Sequence, residues 1–228
     1  MKYAVEPSPV SVVRIDGQES VFPVHRIYCV GRNYAAHAIE MGGDPTREEP
    51  FFFQKNPDNL IVEDGDFPYP AKSNDVHHEI ELVIALKEGG SDIPLSRALD
   101  CIFGYAAGLD MTRRDLQGEC KKHGRPWEIG KAFEHSLPIG RLVPATRCGH
   151  PQEGRIWLKV DGELKQDGNL DQLIWKVPEI ITILSGFFTL KPGDLIMTGT
   201  PAGVAAVKRG NVLQGQIEGV GSIRTKVV

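Results

Sequence analysis

Little in this chain marks it as a nucleic-acid, membrane or disulfide-built protein. Its 26 lysines and arginines are outnumbered by 30 aspartates and glutamates, for a formal charge of −4 and an isoelectric point near 6.0. Without a basic excess, binding to a phosphate backbone has no electrostatic support in the overall balance. No apolar run approaches the roughly 20 residues that cross a bilayer. The opening stretch MKYAVEPSPVSVV lacks the uninterrupted apolar segment of a signal peptide. Cysteines are few, and Cys29, Cys101, Cys120 and Cys148 are widely spaced with no CxxC pair. That spacing gives neither a structural zinc pattern nor a disulfide framework, so a reducing cytoplasm is the expected setting. There is no repeat of fixed period and no low-complexity tract.

What is present is ordinary globular composition, 41% hydrophobic and 25% charged over 228 residues. This is enough for a substantial core in one large domain, or one domain with an extension. Strand-and-turn signals dominate. SVVRI-DG-QESVF (11–22) and IWLKV-DG-ELKQ (156–166) each place Asp-Gly between β-prone runs, a two-residue hairpin signal at Asp16-Gly17 and Asp161-Gly162. Pro192-Gly193 suits a type II turn between strands. Helices are fewer. YAAHAIEMGG (34–43) is helix-forming and ends at Gly42-Gly43. Thr112 to Asp115 resembles a capping box that would start a short helix carrying Arg114 and Gln117. VPEIITILSGFF (177–188) has Pro178 near a first-turn position and an apolar stripe. Many strands, few helices and no βαβ alternation predict an α+β fold built on sheets.

The stretch HHEIELVIAL (77–86) sets two carboxylates at the start of an apolar run. In a strand, Glu79, Glu81, Val83 and Ala85 share one side; Ile80, Leu82, Ile84 and Leu86 share the other, which should face a core. Two anions on one face repel unless water screens them or a cation lies between them. The pair is therefore either a solvated outer face or part of a metal site. Asp110, where an apolar strand gives way to a helix, is either the third carboxylate of such a site or a turn residue. An oxygen-only set favours Mg2+, Mn2+ or Ca2+ over zinc. The adjacent His77 and His78 point to opposite faces and cannot readily bind one ion together. His37 and Glu40, at i and i+3 of the first helix, form either a base that removes a proton from water or an exposed polar face. Asp110, Arg114 and Gln117 have i, i+4, i+7 spacing if their helix starts early enough, with Arg114 suited to gripping a carboxylate. Lys131 would offset a developing enolate, or be a solvated lysine. MTGTPAG (197–203) either offers N–H groups and the Thr200 hydroxyl to an anion or is a plain turn.

Taken in order, CVGRNYAAHAIEMG (29–42), HHEIELVIAL, GYAAGLDMTRRDLQ (104–117), GRPWEIGKAF (124–133) and GDLIMTGTPAGV (193–204) resemble the fumarylacetoacetate hydrolase family. The resemblance implies a predominantly β, mixed-sheet β-roll with a few short helices, a β-hairpin extension over 1–24 and a catalytic domain over 25–228. It implies a homodimer, a divalent metal (Mg2+ or Mn2+, with Ca2+ as an alternative) and a small keto-acid substrate, with no nucleic-acid or membrane partner. Carried over by position, the metal ligands are Glu79, Glu81 and Asp110. The catalytic residues are His37, Glu40 and Lys131, and the substrate-binding residues are Arg114, Gln117, Gly199 and Thr200. The absence of a long extra N-terminal domain counts against fumarylacetoacetate itself. FPVHRIYCVGRNYAAHAIEMG, EEPFFFQKNPD and GRPWEIGKAFEHS are most similar to bacterial fumarylpyruvate hydrolases of gentisate-type degradation. CKKHGRPW resembles acylpyruvases that also decarboxylate oxaloacetate. The implied activity is hydrolysis of the C–C bond of a 2,4-diketo acid, foremost fumarylpyruvate to fumarate and pyruvate. Oxaloacetate decarboxylation or a 2-hydroxy-diene-dioate isomerase reaction is the alternative. Residues 34–48 are expected to close as a lid hinged at Gly42 and Gly43.

Overall fold

All seven residues of the strand Ile80–Leu86 are buried, which a strand achieves only when both of its faces are covered. The computed structural model describes residues 2–40 and 48–228. It places this strand inside a six-stranded sheet. The order is Val143–Pro144, Ile102–Leu109, Ile80–Leu86, Leu195–Met197, Ile27–Gly31, Phe51–Lys55. Leu195–Met197 and Ile27–Gly31 run parallel; the remaining neighbours are antiparallel. The fold is thus the mixed, β-rich α+β architecture that the strand signals and the family resemblance predict.

Ile80, Leu82, Ile84 and Leu86 face one core, shared with Ile156, Leu158 and Leu213 of a second, four-stranded antiparallel sheet. The helix Val177–Phe187 adds Ile180, Ile181 and Leu184 to it. The opposite side of the strand is not solvated, as one reading of the glutamates required. Val83 and Ala85 are fully buried in a second core with Val13, Ile15, Phe22 and Val24. These come from the N-terminal strands Val12–Arg14 and Val21–Pro23 and the residues beside them, so the hairpin covers the sheet's second face.

The turns follow their residues with one exception. Asp161 and Gly162 take φ of +50° and +84° between paired strands, as a two-residue mirror-image turn needs. Gly193 has φ +91° and Asp194 N–H donates to Lys191 O at 3.1 Å, the type II turn expected. Asp16-Gly17 does not close a two-residue hairpin: residues 15–20 form the loop. The reason is a competing partner, since Ile15 bridges Leu142 and Asp16 N–H donates to Leu142 O at 2.8 Å.

The first helix runs Ala35–Glu40; its expected end and the hinge glycines Gly42 and Gly43 lie outside the described residues. The capping box at Thr112 does not form. Thr112 is a buried strand residue paired with His77, and the helix begins at Arg114. Asp115 instead accepts from Ser73 Oγ at 2.7 Å and Asn74 N–H at 3.0 Å. All four cysteines are unpaired. Among the described residues, no helix is long and apolar enough to cross a membrane.

Candidate active site

Strand register assembles three carboxylates. Ile80–Leu86 pairs with Ile102–Leu109 so that Ile80 opposes Leu109. Asp110 N–H then donates to Glu79 O at 2.8 Å. Asp110 therefore emerges from its strand beside Glu79 and Glu81, and one oxygen from each of the three lies within 4.8 Å of the others. All three residues are at most 4% exposed. Three anions so close and so dry are tolerated only with cations among them.

The chain supplies some of that charge. Lys131, itself buried, directs Nζ to Asp110 Oδ2 at 2.6 Å, Thr112 Oγ1 at 2.7 Å and Glu79 Oε2 at 2.9 Å, which uses all three of its protons. Arg114 Nη2 pairs with Glu79 Oε1. Lys55 Nζ sits 2.9 Å from Asp110 Oδ1. Burial alone would raise the Glu79 carboxyl, but Lys131 and Arg114 outweigh it and hold the group far below the usual range. Burial also works against the Lys131 ammonium, and Asp110 and Glu79 reverse it, so that its pKa rises. For Glu81 the help from Lys131 is outweighed. Its Oε2 accepts only from Gly199 N–H, at 2.8 Å. Burial, then Asp110 and Glu79, push its carboxyl well above the ordinary value. Asp110 Oδ1, although close to Lys55, is buried with no hydrogen bond of acceptable geometry. A carboxylate that resists ionisation, an orphaned buried oxygen and an all-oxygen donor set fit a hard divalent cation.

The helix Ala35–Glu40 brings a nitrogen base to the same cleft. His37 Nδ1 lies 3.2 Å from Glu40 Oε2, and Glu40 Oε1 accepts from Gly203 N–H at 3.0 Å. The chain entering the helix is fixed by Asn33, which donates to Thr198 O at 2.8 Å and Trp175 O at 3.0 Å. Burial lowers the His37 pKa below 6.5, with Glu79 and Glu40 opposing.

Of the metal-ligand, catalytic and substrate-binding residues carried over by the family resemblance, all but Glu40 line this cleft. Several reach it differently from expectation. Because its helix starts at Arg114, Asp110 is not on a helical stripe with Arg114 and Gln117; it comes from the strand. Arg114 Nη1 does donate to Gln117 Oε1 at 2.7 Å. The Thr200 hydroxyl donates to Ile80 O at 2.7 Å and accepts from Gln166 Nε2 at 2.7 Å, so its proton is already committed. Gln166 also accepts at Oε1 from His78 Nδ1, at 2.9 Å. On the opposite side, His77 Nδ1 accepts from Arg114 Nε at 3.3 Å. The two histidines thus steady neighbours of the carboxylates from different faces. Sequence reasoning missed Lys55, which closes the strand FFFQK and reads there as a solvated strand end. It also missed Gln166, and Arg32, Phe51, Lys121 and Trp127 on the lining.

A family model for the fumarylacetoacetate (FAA) hydrolase C-terminal region matches residues 26–228. The structure is similar to that of fumarylpyruvate hydrolase from Pseudomonas aeruginosa, crystallised in complex with Mn2+ and pyruvate. The identity is 51% and the TM-score 0.96, covering 100% of this chain and 99% of that one. The mitochondrial oxaloacetate tautomerase FAHD1 of Rattus norvegicus is 44% identical, over 88% of this chain and 90% of its own length. The mitochondrial oxaloacetate decarboxylase of Dictyostelium discoideum is 41% identical, over 86% and 89%. With mitochondrial proteins among such relatives, the family does not carry the cytoplasmic setting expected from composition. The matched length, the fold and the ordered motifs agree: the chain belongs to the fumarylacetoacetate hydrolase family.

Proposed function

We propose that this protein is a divalent-metal-dependent hydrolase of 2,4-diketo acids, with 3-fumarylpyruvate as its first substrate. The observation that carries the reading is His37, paired with Glu40, on the same cleft as three buried carboxylates. Glu79, Glu81 and Asp110 would hold Mg2+ or Mn2+. When bound, such an ion polarises a keto oxygen as a Lewis acid and orients the substrate.

The chain's own groups supply the rest. His37 donates Nδ1–H to Glu40, which leaves Nε2 unprotonated, and burial keeps the ring neutral near pH 7. Nε2 takes a proton from water, and the hydroxide so formed attacks the 4-keto carbon. The C3–C4 bond then breaks, its electron pair passing to the pyruvate half as an enolate while fumarate leaves. Lys131, the buried ammonium of the cluster, offsets the enolate charge. The proton held by His37 completes pyruvate at C3. Arg114, steadied by Gln117 and His77, is the group to grip the substrate carboxylate. A homodimer is part of this reading. Light scattering should give twice the 25.1 kDa of the chain.

A second reading, oxaloacetate tautomerisation or decarboxylation, is favoured by the 44% and 41% identity to enzymes of those names. It shares the enolate stage and needs no attacking water. Absorbance assays with Mg2+ on fumarylpyruvate, acetylpyruvate and oxaloacetate in parallel separate the two. Fumarylpyruvate should have the highest kcat/KM. A tenfold advantage for oxaloacetate would replace the first reading with the second.

A further inference from the structure

The peptide groups on either side of Ile80 carry the two glutamates of the cluster, and the sheet ladder does not hold them there. The neighbouring strand Leu195–Met197 pairs only as far as Val83. Beyond it Thr198 N–H donates to Leu82 O at 3.1 Å, and the ladder ends. The N–H and C=O of Ile80 would then be buried without partners, which a folded chain avoids. Side chains take them instead. Ile80 N–H donates to Gln166 Oε1 at 3.0 Å. Gln166 Nε2 donates to Thr200 Oγ1 at 2.7 Å, and the Thr200 hydroxyl donates to Ile80 O at 2.7 Å. The bonds close a ring around the one residue that separates Glu79 from Glu81.

Gln166 comes from the strand Glu163–Asn169, an edge of the four-stranded sheet, and is fully buried. Its carboxamide is used completely. Oε1 also accepts from His78 Nδ1 at 2.9 Å, and Nε2 also donates to Pro201 O at 2.8 Å, so both lone pairs and both protons have partners. The orientation is fixed, because Ile80 N–H can only donate and Pro201 O can only accept. Every partner lies in 78–80 or 200–201, the two segments that carry site groups. The second segment rests on the strand itself: a Cβ at Gly203 would lie 2.0 Å from Lys165 O, and one at Gly168 2.7 Å from Pro201 Cβ. From that seat the loop 198–203 reaches both parts of the site. Gly199 N–H donates to Glu81 Oε2 at 2.8 Å, and Gly203 N–H donates to Glu40 Oε1 at 3.0 Å.

We propose that Gln166 is a positioning residue, which through the Ile80 peptides and the loop 198–203 fixes Glu79 and Glu81 toward a divalent ion and Glu40 toward His37. It is not on the cleft lining and acts only through its neighbours, as groups behind metal ligands do. A buried network with every member satisfied holds one geometry; opening it lets the carboxylates and the loop swing. The inference rests on the metal-dependent reading above and adds the residue that keeps its ligands and its base in register.

The test uses Gln166→Met, which keeps most of the volume and deletes all of these bonds, in the full chain well below its melting temperature. Calorimetric titration with Mn2+ should show affinity weakened about 10–100-fold, and kcat at saturating Mn2+ should fall by a similar factor while KM moves less. A residue that only stabilised the fold would lower Tm in EDTA and leave both the Mn2+ affinity and the kcat of the folded protein unchanged. Either value within about twofold of wild type therefore overturns the proposal. Thr200→Val opens the same ring from its other side and keeps the test decisive should Gln166→Met not fold: its Mn2+ affinity should also weaken, and an unchanged affinity overturns the proposal. Where both fold, the double variant should bind Mn2+ about as well as the weaker single variant, since one opening suffices; independent, additive losses would show that there is no shared ring. If wild type binds Mn2+ but turns over no acylpyruvate or oxaloacetate, the reading above fails by itself, and the titrations still decide the role of Gln166. Wild type that binds no Mn2+ overturns both.

Discussion

Replacing Lys55 with methionine would keep most of the side chain's length and delete its charge. Lys55 is 2% exposed. Its Nζ lies 2.9 Å from Asp110 Oδ1, and it donates to Ser136 Oγ at 3.0 Å and to the carbonyl of Lys131. Without a metal ion, the buried cluster holds Glu79 and Asp110 against three cations (Lys55, Arg114, Lys131), while the Glu81 carboxyl is pushed well above its ordinary value. Lys55→Met takes from the buried Asp110 Oδ1 the cation beside it. At 2.9 Å and an effective dielectric constant near 20, the gross attraction lost is about 6 kcal/mol. Breaking buried pairs from one side costs about 3–5 kcal/mol. In a chain of this size each kcal/mol moves Tm by about 2–4 °C, so the variant in EDTA should melt roughly 10 °C below wild type. The sign reverses for a divalent cation. With the Lys55 charge gone, Mn2+ meets less repulsion and should bind more tightly, giving a larger metal-induced rise in Tm than in wild type. Scanning calorimetry in EDTA and across a Mn2+ series reads both effects. An unchanged Tm in EDTA, or a metal-induced rise no larger than that of wild type, would refute the reasoning.

Glu81→Gln should separate stability from metal binding. Because the folded pKa of Glu81 is raised, its ionisation costs stability as pH rises above the unfolded value, so the variant in EDTA at pH 7 should melt at or above wild type while Mn2+ affinity and turnover both collapse. A metal-free protein destabilised by this substitution would show that Glu81 is ionised there. His37→Ala should slow hydrolysis about 10²–10⁴-fold with Mn2+ affinity retained in calorimetry; a loss of metal affinity would recast His37 as part of the metal site. A lowered His37 pKa also sets the acid limb of the pH–rate profile. The rate should persist as pH falls through 6.5 and decline only below it, and a limb centred above 6.5 would contradict a buried neutral base. His78, pushed down to about 4 by burial, binds its proton more readily when unfolded. Its contribution is therefore intact above pH 6.5 and lost as pH falls towards 4, amounting to about 3 kcal/mol at 1.36 kcal/mol per pKa unit. Urea midpoints between pH 7 and 4.5 should fall less steeply in His78→Gln; parallel slopes would exclude that role.

The carboxylates were legible because strand periodicity is local. Glu79 and Glu81 had to share a face, and an acidic residue at the end of a neighbouring strand had a short route to both. Whether that face was wet was not legible, since it depends on what covers it. The cover is the hairpin Val12–Arg14 and Val21–Pro23, some 60 residues upstream. Asp16-Gly17 failed as a two-residue turn for the same kind of reason, its partner Leu142 being remote in sequence. Thr112 looked like a helix cap because its nearest neighbours fit a capping box. Its hydroxyl is instead claimed by Lys131 across the site. Lys55 and Gln166 left no signal at all, because only tertiary burial distinguishes a lysine at a strand end, or a glutamine in a hairpin, from a solvated one.

The same burial gives the cluster its chemical bias. In water, three carboxylates would hold a divalent cation weakly and exchange it freely. Closed between two cores, they gain affinity from the low dielectric but cannot all ionise without compensation, which Lys55, Arg114 and Lys131 provide in equal number. With all three carboxylates ionised around a divalent ion, the cluster and the ion together carry two surplus positive charges. Arg32 and Lys121 add two more on the cleft lining. A monoanionic ligand would answer one of those four charges and a dianion two of them. The charge inventory therefore favours substrates with two carboxylates over their truncated analogues, and predicts that the preference weakens as ionic strength rises, because the exposed Arg32 and the half-buried Lys121 are screened before the buried cluster is. Measuring the fumarylpyruvate-to-acetylpyruvate ratio of kcat/KM from low to high salt checks this: a ratio that stays flat would mean shape, rather than charge, sets the choice.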